Sequence, residues 1–491
     1  MTSVAGRQLE ATWDHVDRAR RPSLDEALAD RGHVVVDGPD VLDPAAIDDH
    51  TARLAGALRA LGVSHGDTVA WQASNRWEAV ILFRAAWRLG AVAAPLHHLA
   101  GPSEIDGLLG RLAPKLMVDP DDVAPLIERG PPVRNSVAHG TDLALVLHTS
   151  GSSGEPKGVL HTHAGLAVKA QMMAAVHDVG PDDCVLMPAP LAHISGLQNA
   201  VTVAGASGMR SVLMSRWDPE HALALIAEHR VTFMMGPPAF FVSLQDTPGF
   251  TPERVESIRL ISCGGAGVTA AFVEEATEAF GCVVKRTYGS TEAPTITTAH
   301  HGDSGPRIAQ TDGRPTGSVR VRLGPRDEVW ARGPELFVGY TDRDRTVEAL
   351  GVVDGVEGEW FRTGDIGRID DDGWLTIVGR IKDIIIRGGE NISAAEVEGA
   401  LVAHPAVRHA VAVGEPHPRL GETVCAFVVL APGQRFDLAT CRAWFESRGL
   451  TRFKTPERVE VLDELPLLAA GKPDRAALRR RAAEIGIPPL P

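Results

Sequence analysis

From about residue 140 onward, apolar runs of strand length alternate with stretches of helical period, and the runs end in glycine-rich loops. Leu143 to Leu147 leads into a Gly/Ser loop, Asp218 to His229 has helical spacing, and Val231 to Met235 is again short and apolar. Ile258 to Ser262 leads into Cys263-Gly-Gly-Ala-Gly267, Thr269 to Phe280 is helical, and Val283 to Thr287 ends at Tyr288-Gly-Ser-Thr-Glu292. Strands that end in such loops and are separated by helices build an open α/β sheet, with ligands at the strand carboxyl ends. The alternation predicts an α/β fold with its site along those loops.

The character changes beyond Gly379. Ile381-Lys-Asp-Ile-Ile-Ile386 and two β-rich runs, 407–413 and 423–430, are interleaved with helical segments at 394–403, 437–448 and 473–484. Ser393 with Glu396 has the spacing of a capping box. These features predict a small α+β domain over 381–491, after a large multi-part domain of open sheets and helices over 1–380. A chain of 491 residues has room for both. Pro131 to Ser136 is the best surface-linker candidate within the larger part.

Charge narrows the partners. The chain carries 49 Lys plus Arg against 63 Asp plus Glu, a net charge of −14, which argues against nucleic acid and anionic lipid. It leaves room for an anionic small molecule in a locally basic cleft. The amino-terminal residues mix charge with polar groups and do not resemble a signal peptide. The most apolar window, Ala79 to Leu96, contains Arg84 and Arg88 and is unsuited to a bilayer. A cytoplasmic protein without a membrane span is expected. The five cysteines form no CxxC pair and read as buried reduced thiols, with Cys263 alone beside a glycine-rich loop.

Thr149, Ser150, Gly151, Ser152, Ser153, Gly154, Glu155, Pro156, Lys157 and Gly158 directly follow an apolar strand. Glycines let backbone N–H groups close around phosphate oxygens, hydroxyls add donors, and Lys157 adds positive charge. The stretch is not a Walker A loop, because Pro156 stands where glycine is required and no Ser or Thr follows Lys157.

This decapeptide resembles the signature of the adenylate-forming superfamily, which includes acyl-CoA synthetases, stand-alone adenylation domains and beetle luciferases. Four further matches follow in order: Tyr288 to Glu292, Arg362-Thr-Gly-Asp365, Gly379-Arg-Ile-Lys-Asp383 and Gly471-Lys472. The resemblance implies a large amino-terminal domain, a small mobile carboxyl-terminal domain and a reaction through an acyl-adenylate.

The resemblance also implies roles. Tyr288 stacks on adenine with Gly289 beside it, Thr291 donates to the α-phosphate, and Glu292 holds Mg2+. Gly264, Gly265 and Ala266 pass the adenine edge, while Asp365 and Arg380 meet the ribose. Lys472, in a motif where Leu468 replaces the usual Thr, neutralises charge as a carboxylate meets phosphate. Gly388 and Gly389 leave a tunnel for pantetheine, and Lys382 sits at the hinge. His193 gates an acid pocket that Met235, Gly236, Cys263 and Gly289 help to line. No Asp in that segment can pair with an α-ammonium group, so amino acids are disfavoured. Some CoA ligases of the family carry basic residues at the positions of Thr455 and Glu457, a departure that leaves Lys454, Arg452 or Arg458 to meet the CoA nucleotide.

The expected function is an AMP-forming carboxylate–CoA ligase for an apolar alicyclic, aryl or medium-chain acid, using ATP, Mg2+ and coenzyme A. The sequence leaves open a stand-alone enzyme that loads a carrier protein, a non-catalytic nucleotide or acyl binder, and a luciferase-like oxygenase. The acid and the choice between monomer and homodimer are also left open.

Overall fold

The computed structural model describes residues 22–29, 31–149, 156–265, 267–353, 356–388, 390–467 and 473–485. The chain divides into two compact units. The first takes Met1–Arg322, Trp330–Arg362 and Asp370–Leu375, and the second takes Leu323–Val329, Thr363–Ile369 and Thr376–Pro491. A single cut at 380/381 is therefore not the division by packing: the smaller unit starts at Thr376 and recruits two earlier segments. Asp365 and Arg380 consequently fall in the same unit.

The first unit is built on two large sheets. In the nine-stranded sheet, six parallel strands lie in the order Val283–Tyr288, Leu260–Gly264, Phe233–Gly236, Cys184–Met187, Arg210–Leu213 and Val34–Asp37. Short antiparallel strands close both edges. The six-stranded sheet joins parallel strands Leu143–Thr149, Val92–His97, Thr68–Ala73 and Leu116–Val118 to the antiparallel strand Lys157–Thr162, on which the short strand Gly339–Tyr340 pairs antiparallel at the edge. Apolar runs such as Val185 to Met187, fully buried, suit parallel strands covered on both faces.

Helices start where their caps allow. Asp218 accepts from His221 N at the head of Pro219–His229, and Thr269 accepts from Phe272 N at the head of Ala270–Phe280. A Ser23–Glu26 capping box is complete on both sides. Helix Trp77–Arg88 is buried along nearly its whole length. Its two arginines converge on the buried Asp25, with Arg84 Nε 3.0 Å and Arg88 Nε 2.7 Å from the carboxylate. Burial alone raises the Asp25 pKa, but the two guanidinium groups outweigh it and hold it below the usual carboxylate value. Removing Asp25 would leave the buried Arg84 without its carboxylate and Arg88 with Asp48 alone, at a cost of about 3–5 kcal/mol. Among the described residues, no helix is long and apolar enough to cross a membrane.

The second unit is a small α+β body. Strands Val407–His417 and Gly421–Leu430 pair antiparallel along their length, Arg458–Leu462 adds in parallel, and the hairpin Ile384–Arg387 with Glu390–Ser393 completes the sheet. Helices Ala394–Val402, Leu438–Ser447 and Arg475–Ile485 flank it. The expected capping box at Ser393 is only half formed. Ser393 Oγ accepts from Glu396 N, but Glu396 turns away to bind Lys454 Nζ at 2.6 Å.

Candidate active site

Strand Leu143–Thr149 returns antiparallel as Lys157–Thr162, with Thr149 opposite Lys157. The phosphate-loop candidate therefore spans a hairpin and does not enter a helix. The next helix begins only at His163, capped by Thr162. Ser150, Gly151, Ser152, Ser153 and Gly154 lie outside the described residues, as do Ala266, Gly389 and Lys472.

The turn after Val283–Tyr288 is tightly specified. Ile296 N donates to Tyr288 O at 2.7 Å, and Ser290 N to Ala293 O at 3.1 Å. A Cβ on Gly289 would stand 2.5 Å from Thr295 N, so only glycine fits there. The buried His161 fixes Thr291 from behind: Nε2 lies 2.8 Å from Thr291 O, an acceptor, so this nitrogen carries the proton and donates. Burial pushes the His161 pKa down to about 4, leaving the ring neutral. Glu292 is held by Tyr340, whose hydroxyl donates to Oε1 at 2.7 Å, and by Phe337 N, which donates to its carbonyl at 2.8 Å. Burial, then the neighbouring Glu292 charge, raises the Tyr340 pKa and keeps the phenol a donor. On the same phenol, Lys157 Nζ lies 5.1 Å from the ring centroid. One tyrosine thus carries the phosphate-loop cation on its face and the carboxylate at its tip.

Register decides which strand residues share a face. Met235 pairs with Ser262, and Gly236 with Cys263, so Met235 and Cys263 point to opposite faces. Cys263 packs with Met234, Ile261 and Phe241 in the core under helices Pro219–His229, Pro238–Gln245 and Ala270–Phe280. Its thiol is fully buried and its pKa is raised by burial. The expectation that Cys263 lines the acid pocket is corrected: it is a core residue, and Met234 and Phe241 share that core. Met235 faces the other way, where Asn199 Nδ2 donates to its sulfur at 2.6 Å and to Ser195 O at 2.8 Å. Ser262, on the Met235 side, bonds Thr287. Gly264 has room for no side chain, since a Cβ would stand 2.4 Å from Thr287 O, and Gly265 adopts a φ of +78°.

His193 precedes the short helix Ile194–Leu197, and its ring meets His97 edge-on at 5.1 Å, while His97 stacks on His98 at 4.8 Å. The buried Asn75 holds the approach to His193. It donates to Met187 O and Ala189 O and accepts from Leu191 N, all within 3.0 Å.

In the second unit Arg380 Nε donates to Asp365 Oδ1 at 2.5 Å, so the two expected ribose contacts are partners of one another. Lys382 lies in the turn Ile381–Asp383, and its carbonyl accepts from Arg479 at 3.0 Å. Gly388, at a φ of +58°, turns the hairpin. Leu467 and Pro473 bridge, closing the base of the segment that bears Lys472. Glu457 is occupied internally, binding Arg387 Nε at 2.5 Å and Val424 N at 2.8 Å. Arg458 is buried against Glu415, and Lys454 is paired with Glu396. Both are engaged within the unit, which leaves Arg452 as the exposed cation of the three expected to meet a CoA nucleotide.

Sequence reasoning missed Tyr340, His161, Lys169, Gln198, Asn199 and the pair His97–His98. Tyr340 had a signal, since the chain has only two tyrosines and the other, Tyr288, had already been singled out. Lys169 sat in an otherwise apolar helical run, where a lone cation can be read as buried or as solvated.

The family model described as "AMP-binding enzyme" matches residues 26–341, and "AMP-binding enzyme C-terminal domain" matches 396–472. A medium-chain fatty-acid–CoA ligase of Escherichia coli is 31% identical over 89% of this chain and 85% of its own. A feruloyl-CoA synthase of Amycolatopsis is 32% identical, covering 90% and 94%. The crystal structure of ATP-bound MatB from Rhodopseudomonas palustris superposes with a TM-score of 0.86 at 27% identity, covering 94% and 99%.

Proposed function

The chain belongs to the AMP-binding enzyme family, and from that premise we propose an AMP-forming carboxylate–CoA ligase that activates an uncharged apolar acid. A carboxylate oxygen of the acid attacks the α-phosphorus of ATP and pyrophosphate leaves. The thiolate of CoA then attacks the acyl carbon, and AMP departs with the oxygen that came from the acid.

The observation that carries this reading is the Lys157–Tyr340–Glu292 group: a phosphate-loop cation and a partly exposed carboxylate fixed on one buried phenol. Lys157 binds phosphate oxygens, and Thr291, pinned through its carbonyl by His161, presents its hydroxyl to the α-phosphate. Tyr288 offers its ring to adenine, and Asp365 its carboxylate to the ribose hydroxyls. Lys472 supplies the cation that lets the acid's carboxylate approach the phosphate.

Mg2+ fits this donor set. Among the described residues no cluster of three or more His, Cys, Asp or Glu can hold a metal, which excludes a protein cage there but suits an ion carried on substrate phosphates with one carboxylate. Glu292 is that carboxylate, and the ion would neutralise phosphate charge. The five cysteines are free and buried, which suits a reducing cytoplasm.

The relatives' names, medium-chain fatty acid and feruloyl, together with Met235 beside His193's helix, support an apolar tail. An unpaired buried charge would cost several kcal/mol. The test is AMP release from ATP across hexanoic, octanoic, cyclohexanecarboxylic, benzoic and ferulic acids, glycine and succinate, with and without CoA. CoA-dependent turnover of an uncharged acid is expected. Glycine or succinate as the best substrate would overturn the pocket reading. The internal pairing of Glu457 favours one alternative, delivery to a carrier-protein phosphopantetheine. AMP release with a phosphopantetheinylated carrier but not with free CoA would establish it.

A further inference from the structure

Thr295, three residues beyond Glu292, is a β-branched residue at a φ of +47° and 5% exposed. Such a conformation is a genuine outlier that persists only where its surroundings over-determine it, commonly beside functional sites. Three groups do so. The carbonyl of Thr295 accepts from Lys169 Nζ at 3.0 Å and from Thr316 Oγ1 at 2.6 Å. Its hydroxyl accepts from Gln198 Nε2 at 3.2 Å. Gly289 runs so close to its backbone that a Cβ there would stand 2.5 Å from Thr295 N.

These contacts come from two directions. Gln198 opens the π-helical segment Gln198–Val203 that continues the short helix after His193, and the next residue, Asn199, holds Met235. Single π turns are rare and frequent at functional sites. Thr295 ends the turn that carries Thr291 and Glu292. Lys169, fully buried on helix His163–His177, is an ammonium whose hydrogen bonds go to the neutral acceptors Thr295 O and Thr316 Oγ1, with the buried Glu335 carboxylate close enough to offset part of the burial cost.

We propose that Thr295 is the node that holds the acid-side helix and the nucleotide-side turn in one register, with Gln198 and Lys169 as its positioning residues, so that bound nucleotide and bound acid strengthen each other. The proposal rests on the ligase reading above. Coupling of this kind is reciprocal: the factor by which one ligand tightens the other is the same in both directions.

The experiment is calorimetric titration of the full chain with α,β-methylene-ATP and with octanoate, ferulate or cyclohexanecarboxylate, each alone and with the other saturating. The acid used is whichever of the three gives the fastest ATP–pyrophosphate exchange. The wild-type coupling factor is expected at roughly fivefold or more. In Gln198→Ala and Thr295→Val it should fall to about one, while single-ligand affinities and thermal midpoints change far less; Thr295→Ser should retain it. A merely structural role would shift stability and affinities without touching the factor. Should Thr295→Val fail to fold, Gln198→Ala, which leaves the turn intact, still decides the matter. A wild-type factor of one, or an undiminished factor in Gln198→Ala, overturns the node. No exchange with any of the three acids and no AMP release across the wider panel overturns the ligase reading, and the node with it.

Discussion

The two units hold their site residues by different physics. In the first, the turn 288–296 is fixed by groups taken out of water: neutral His161, the Tyr340 phenol, the Gln198 carboxamide and the Lys169 ammonium. In the second, Asp365, the turn that bears Lys382 and the hairpin at Gly388 are tied by ion pairs whose arginines reach solvent. Arg380, on Asp365, is 49% exposed at its side chain, and Arg479, on Asp383, is 41% exposed. Buried hydrogen bonds are insensitive to salt and costly to break, whereas exposed pairs contribute about 0–1 kcal/mol and are screened. The first unit is thus built as a pre-formed template and the second as a set of latches that exchange at little cost.

The largest expected effect comes from a residue outside both schemes. Lys472→Ala should cost acid-dependent pyrophosphate exchange about 10²- to 10³-fold, with thioester formation from supplied acyl-adenylate much less affected. Equal losses in the two assays would show that Lys472 serves both steps. Next comes the template. Tyr340→Phe keeps the ring under Lys157 but strips Glu292 of its O–H donor, and losing a hydrogen bond to a charged group should raise the apparent KM for MgATP about tenfold. That loss should be the same at low and high ionic strength, and a salt-sensitive loss would put Glu292 among the latches.

Smaller still is the latch. Arg380→Gln should lower overall ligation only about two- to fivefold, and the deficit should shrink as salt screens the wild-type pair. A salt-independent, hundredfold loss would make Arg380 part of a built site. The smallest effect on activity is expected at Lys285, buried and bonded to Ala299 O at 2.7 Å. Burial lowers its pKa from 10.5 to about 7. Between those values the unfolded chain binds more protons than the folded one, so wild-type stability rises with pH through that window. Lys169, lowered to about 8, adds the same sign above pH 8. Lys285→Met should flatten the rise by on the order of a few kcal/mol and leave turnover within about twofold. Denaturant titrations at pH 7 and 10 measure it.

Local chemistry made the strand–loop–helix alternation legible from the chain alone, because periodicity and helix caps act over a few residues. The helices capped by Asp218 and Thr269 start where those residues require. What lay hidden was non-local. The hairpin return at Lys157 and the opposite facing of Met235 and Cys263 depend on which strands pair and in what register, and a shift of one residue inverts every face. Glu396 looked like the second half of a cap until Lys454, distant in sequence, claimed it. The same holds for Lys169: one buried cation in a helix carries no local mark of the carbonyl it will meet.

Oxygen transfer tests the proposed chemistry most directly. With an acid labelled with ¹⁸O in its carboxylate, unlabelled ATP and CoA, one labelled oxygen should appear in AMP and none in pyrophosphate, since the acid's own oxygen becomes the bridge to the α-phosphorus. Label appearing in inorganic phosphate, with ADP in place of AMP, would mean attack at the γ-phosphorus and would contradict an acyl-adenylate route.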